Sequence, residues 1–191
     1  MMRTGHADAR RLLANRPPPE PARRPVPNDL PVTAWLPVAA DNAPDDMVNL
    51  VRLLAGLAGR LSWQQTYTAA DLGHAFLDKY GWSLLVGPGA PVECKTLLVG
   101  VMLLGPDLEY PVHRHSAEEV YLVLSGRASW QIAGSGWEIR TPGHVIHNPP
   151  WQPHGVRTDQ GQPLLLGFVW NAGAPEKSRF TELHSAGDAT S

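Results

Sequence analysis

The chain has 191 residues, room for one domain with additions at its ends and enough length to bury a stable core without covalent staples. Its 16 Lys and Arg against 18 Asp and Glu leave a net charge of −2, a balance that points to no nucleic acid or other polyanion as partner. A single cysteine excludes an internal disulfide and a cysteine-rich zinc module, and 18 glycines with 19 prolines favour turns and short strands over long helices.

Residues 1–43 read as a Pro/Arg-rich tail or strap. Its first part, to Pro31, holds Arg3, Arg10, Arg11, Arg16, Arg23 and Arg24 with the run Pro17-Pro18-Pro19, and few large apolar side chains to offset the entropy of ordering it. Arg10-Arg11 has only a superficial likeness to a twin-arginine signal, because no apolar run follows it. No stretch approaches the ~18 apolar residues of a membrane span. The expectation is therefore a cytoplasmic protein without membrane contact.

Residues 44–81 read as a helical extension. Asp45-Asp46 opens a stripe of Met47, Leu50, Val51, Leu54, Leu57, Ala58 and Leu61 at steps of three and four. A second helix is expected over 70–79, with Leu72, Ala75, Phe76 and Tyr80 on its apolar side and Gly81 ending it.

Residues 82–175 change to strand and turn. Apolar runs lie at 82–86, 96–104, 120–124, 128–133, 137–139, 145–146, 155–157 and 164–170, separated by Gly87-Pro88-Gly89, Gly105-Pro106-Asp107, Ser125-Gly126, Gly134-Ser135-Gly136 and Pro142-Gly143. Strands this short and closely spaced predict a mainly β protein, a small antiparallel sandwich or barrel. Residues 176–191 read as a polar tail that frays. No solenoid repeat, phosphate loop, dinucleotide fingerprint or nucleophile elbow is present.

The chemistry concentrates in Tyr110-Pro-Val-His113-Arg-His115-Ser-Ala-Glu-Glu119-Val-Tyr121. Residues two apart in a strand share a face, so His113 and His115 point together, as do Glu119 and Tyr121, while Glu118 points to solvent. A tight bend between the two strands brings all four together. A third imidazole is expected from His154, behind the rigid Pro149-Pro150-Trp151-Gln152-Pro153 entry. This donor set suits one divalent transition metal, zinc, iron or manganese; histidines hydrogen-bonded in a core without metal are the bland alternative. His144 and His147, three apart, fall on opposite faces. His6 and His184 lie in the tails, and Cys94 reads as a buried thiol.

His113-x-His115-(x3)-Glu119-(x6)-Gly126 resembles the first cupin motif, and Gly136-(x5)-Pro142 continuing to His154 resembles the second, over roughly residues 95–170. The spacing from Gly105 to His113 is longer than usual. More narrowly, Tyr110-(x2)-His113-x-His115-(x3)-Glu119-x-Tyr121 with Trp151-(x2)-His154 is similar to the Q-type bacterial cupin lyases of dimethylsulfoniopropionate, which also carry a helical N-terminal extension. That resemblance implies a cupin-type antiparallel β-barrel (jelly roll). It also implies a metal on His115, Glu119 and His154 with Tyr121 near enough to ligate, and a small carboxylate substrate split by β-elimination into dimethyl sulfide and acrylate.

Such a reaction asks for a cation to stabilise the enolate charge, a base, and a home for the sulfonium. Tyr121 is the chosen base, with Tyr110 as the other candidate or an orienting group. His113 is a fourth ligand, a group behind the ligands, or an acid. Trp151, Trp170 and Tyr110 are the candidate aromatic faces for the sulfonium. The alternatives are a lyase-like cupin acting on another small carboxylate, an iron-dependent cupin dioxygenase, and a non-catalytic cupin binding module. A homodimer is compatible with each.

Overall fold

A computed structural model describes residues 3–14, 24–171 and 177–180. Its helices are α1 (Arg3–Ala14), α2 (Leu36–Asp41), α3 (Val48–Leu57), α4 (Ala69–Leu72) and α5 (His74–Leu77), with 3-10 turns at Pro31–Trp35 and Ala58–Arg60. The strands are β1 (Tyr80–Val86), β2 (Leu98–Leu104), β3 (Glu109–Arg114), β4 (Glu118–Ser125), β5 (Ala128–Ile132), β6 (Glu138–Arg140), β7 (Val145–Asn148), β8 (His154–Thr158), β9 (Leu164–Asn171) and β10 (Arg179–Phe180).

The strands form two five-stranded antiparallel sheets, β1-β2-β9-β4-β7 and β10-β3-β8-β5-β6, rather than one continuously hydrogen-bonded barrel. Their facing sides enclose one apolar cluster, to which β2 contributes Leu98, Met102 and Leu104 and β9 contributes Leu164, Leu166 and Phe168. The first sheet is covered on its other side as well. Val101, Leu103, Leu124 and Leu165 alternate with those residues and pack against Val32, Leu36, Ala39, Val51 and Leu54 of the helical layer. Burial on both faces is why these strands are nearly unbroken apolar runs. The second sheet is covered on one face, so Trp130 and Val156 point inward while Arg157 is exposed.

Some local expectations change. The apolar arc of α3 centres on Val51 and Leu54, which leaves Leu50, counted in the stripe, at its edge and 44% exposed. The helix expected over 70–79 is divided at Gly73, whose φ of 79° leaves the helical region. Tyr80 and Gly81 do not end a helix. They begin β1, opposite Leu104 and Leu103, because the Tyr80 side chain enters the core between the sheets.

Within residues 1–43, α1 lies against β4, β7 and β9 with Leu12 buried. Arg11 pairs with Glu118, and His147 stands 2.9 Å from Glu118 and 3.3 Å from Asp8. At the other end, Arg179 and Phe180 pair with Arg114 and His113, adding a strand where a fraying tail was expected. His184 lies outside the described residues. Among the described residues no helix is long and apolar enough to cross a membrane.

Candidate metal centre and pocket

The two sheets each supply part of one buried cluster. His113 on β3 sits opposite His154 at the start of β8, and His115 follows directly after β3. Glu119 comes from β4 in the other sheet. All four side chains are buried, Glu119 completely. The three imidazoles offer nitrogens within 4.8 Å of one another. Glu119 Oε2 lies 3.4 Å from His115 Nε2 and 3.3 Å from His154 Nε2.

Backbone carbonyls fix the ring orientations. His113 Nδ1 meets Pro111 O at 2.8 Å, His115 Nδ1 meets Ala117 O at 3.0 Å, and His154 Nδ1 meets Gln152 O at 2.9 Å. A carbonyl only accepts, so each Nδ1 carries the proton and each Nε2 presents a lone pair inward. His154 Nε2 is buried and makes no hydrogen bond, although a carboxylate oxygen stands 3.3 Å away. Two lone pairs facing each other at a buried site repel unless a proton or a metal cation lies between them. Nitrogen and carboxylate donors with fixed tautomers fit a divalent transition ion.

Electrostatics agree with this arrangement. Burial opposes ionisation of Glu119, but hydrogen-bond donation and positive charge on His115 and His154, the part a bound cation would take, hold the carboxyl well below its ordinary range. Burial, reinforced by His154, pushes His113 well below the usual imidazole range and keeps it neutral.

Beside the cluster is a narrow pocket with about 30 Å³ of room, space for about one or two water molecules as it stands. Tyr80, Trp82, Tyr110, Tyr121, Phe168 and Trp170 form most of its wall, Thr66 and Ser178 add hydroxyls, and no charged side chain lines it among the described residues. Tyr110 stacks on His113 with ring centres 4.2 Å apart, and Trp170 lies over His115 at 4.5 Å, so pocket and cluster share walls. Burial, then the charge of Glu119, raises the Tyr121 phenol well above its ordinary value. Burial likewise raises Tyr110, whose hydroxyl is 2.8 Å from that of Tyr67.

Trp151 stands apart from this group. Its left-handed turn (φ 63°) lets its N–H donate to His115 O at 2.7 Å and leaves the ring 45% exposed beneath the Arg179 guanidinium. It is not part of the pocket wall. Trp170 lines the wall and also donates from Nε1 to Glu119 Oε1.

Sequence reasoning did not find Asn148 or Tyr67. Asn148 is fully buried and donates from Nδ2 to Glu119 Oε2 at 2.9 Å. A polar residue at the inward phase of a short strand, after Ile146, was the available signal.

The profile of the dimethylsulfoniopropionate (DMSP) lyase family matches residues 4–166. The DMSP lyase DddQ of Ruegeria pomeroyi is 32% identical over 108 residues, 56% of this chain and 53% of that protein, so the match spans about half of that relative's length. A crystal structure from work on the DMSP lyases RdDddP and RnDddQII is 30% identical and superposes with a TM-score of 0.78, covering 93% of this chain and 96% of that one. The crystal structure of DddQ from Ruegeria pomeroyi DSS-3, 24% identical, shares the fold with a TM-score of 0.78 over 94% of this chain and 95% of its own. With two antiparallel sheets shared with a solved structure of 30% identity, and a family match across most of its length, the chain belongs to the dimethylsulfoniopropionate lyase family.

Proposed function

We propose that the protein is a carbon–sulfur lyase that splits dimethylsulfoniopropionate by β-elimination into dimethyl sulfide and acrylate. The observation that carries this reading is the shared wall: an uncharged aromatic pocket touches a buried His113, His115, Glu119 and His154 cluster through Tyr110 and Trp170. A sulfonium carboxylate has two ends with different needs, and this site offers a different surface to each.

His113, His115, Glu119 and His154 are the residues that would hold one divalent transition metal, zinc, iron or manganese. When bound, the ion supplies Lewis-acid charge that favours the substrate carboxylate, the negative charge developing beside it and the phenolate of Tyr121. Tyr121, on the pocket wall and two residues from Glu119 on β4, takes the proton from the carbon next to the carboxylate. The electron pair of that C–H bond becomes the new carbon–carbon double bond. The bond from the β carbon to sulfur breaks, and its electron pair leaves on sulfur as neutral dimethyl sulfide. Trp170 and Tyr110 present π faces that hold the sulfonium by cation–π attraction of about 0.5–2 kcal/mol each. Tyr110, held by Tyr67, orients the substrate, and the apolar wall lowers the exposure of the reacting carbon to water. Trp151 has no contact role in this scheme. A cytoplasmic location and a homodimer complete the proposal, to be checked by cell fractionation and light scattering.

The test is headspace gas chromatography for dimethyl sulfide, with purified protein, dimethylsulfoniopropionate and a panel of divalent metals. Metal-dependent release that a chelator and His115→Ala abolish is the expected result. Trace release from folded, metal-loaded protein would refute the substrate assignment and move the protein to a lyase-like role on another small carboxylate.

A further inference from the structure

Glu119 is gripped from both sides. Its strand, β4, lies between β9 and β7, and the residues opposite Glu119 on those strands are Trp170 and Asn148. Each neighbour donates to a different carboxylate oxygen: Trp170 Nε1 to Oε1, and Asn148 Nδ2 to Oε2 at 2.9 Å. The Asn148 amide cannot be turned over, since its oxygen would then face a carboxylate oxygen. In the orientation present, Asn148 Oδ1 is buried without a hydrogen-bond partner. A fully buried asparagine with half its amide unsatisfied is costly in a core. What the fold retains at that cost is the other half, the N–H on Glu119.

The two donors have different consequences. Oε1 accepts from the Trp170 indole. Oε2 is the oxygen within 3.4 Å of His115 Nε2 and within 3.3 Å of His154 Nε2. We infer that Asn148 and Trp170 are positioning residues that hold Glu119 so that Oε2 alone is offered to the metal, leaving the remaining coordination positions to substrate. This rests on the metal-centre reading above and extends it to residues that never touch the ion.

Asn148→Leu keeps the branched shape and removes both the donor and the orphaned Oδ1, so a space-filling role predicts unchanged metal affinity. Trp170→Phe keeps a ring over His115 and removes the Nε1–H donor. Cobalt(II) is the probe, with affinity measured by competition against a chromophoric chelator and ligand geometry by the visible d–d absorption. The expected result is a 10–100-fold loss of affinity in each variant, of the order known for residues behind metal ligands, with altered band positions. Folding is monitored by circular dichroism; if Asn148→Leu does not fold, Trp170→Phe decides. Wild-type affinity and spectrum in the folded variants would overturn the inference while leaving the metal centre intact. Wild-type protein that takes up no cobalt would overturn both.

Discussion

Replacing Tyr121 by phenylalanine separates catalysis from folding at one atom. The ring is 2% exposed and packs on Trp130 with centres 5.4 Å apart, contacts that phenylalanine keeps. The hydroxyl removed contributes about 1 kcal/mol to stability at most, so the melting temperature should stay within about 4 °C. A positioned base is worth about 10²–10⁴ in rate, or about 3–5 kcal/mol of barrier at about 1.4 kcal/mol per decade. Tyr110→Phe is the control. Its hydroxyl meets Tyr67 OH at 2.8 Å, one neutral hydrogen bond, and losing such a bond costs about 0.5–1.5 kcal/mol, about tenfold in rate. Both variants are to be assayed by dimethyl sulfide release at matched metal content. The pH profile gives a second readout. Burial and Glu119 disfavour the Tyr121 phenolate, so wild-type activity should rise with pH toward the alkaline side, and Tyr121→Phe should lose that limb. Folded, metal-loaded Tyr121→Phe within tenfold of wild type would refute its role as base, and a larger loss in Tyr110→Phe would exchange the two roles.

Gly126→Ala should cost about 2 kcal/mol or more, a drop of about 4–8 °C in melting temperature. Its φ is 83° and a Cβ would fall 2.1 Å from Pro163 O, backbone that cannot step aside; a shift below about 2 °C in a thermal melt would contradict this. Metal added at about 100 times its dissociation constant should stabilise the protein by about 2.7 kcal/mol, raising the melting temperature by about 5–10 °C; a chelator should reverse the gain and His154→Ala should abolish it. Asp71, hydrogen-bonded by Lys177 and by the Thr68 amide and hydroxyl, has its pKa lowered from 3.8 to about 2. The unfolded chain binds the proton first, so the contribution of Asp71 is complete above about 3.8 and disappears as pH falls toward about 2. Carboxyl NMR should follow that midpoint and show it rising in Lys177→Ala; an ordinary aspartate midpoint in wild type would rule out the Lys177 contact in solution.

Period-two alternation is enough to place His113 with His115 and Glu119 with Tyr121, because a strand's pleat dictates side-chain direction from the chain alone. The apolar runs of β2 and β9 were equally legible as strands, though which face each residue serves was not. Leu103 and Leu104 look alike in sequence, and only the helical layer on one side and the second sheet on the other distinguish them. Trp151 shows the limit of local inference. Its nearness to His154 in the chain made it a pocket candidate, yet a left-handed turn at Trp151 itself leaves its ring half-exposed.

The sequence by itself determined that His113, His115 and Glu119 turn inward along two neighbouring stretches of chain, and the mainly β fold. Tertiary structure alone decided what surrounds Glu119. Asn148 and Trp170 lie 29 and 51 residues beyond it, brought opposite by the order of strands in the sheet. Side-chain direction is a property of one strand and can be read along the chain. Register between strands comes from the packing of the whole sheet, so no local pattern records which distant donor will meet a given carboxylate oxygen.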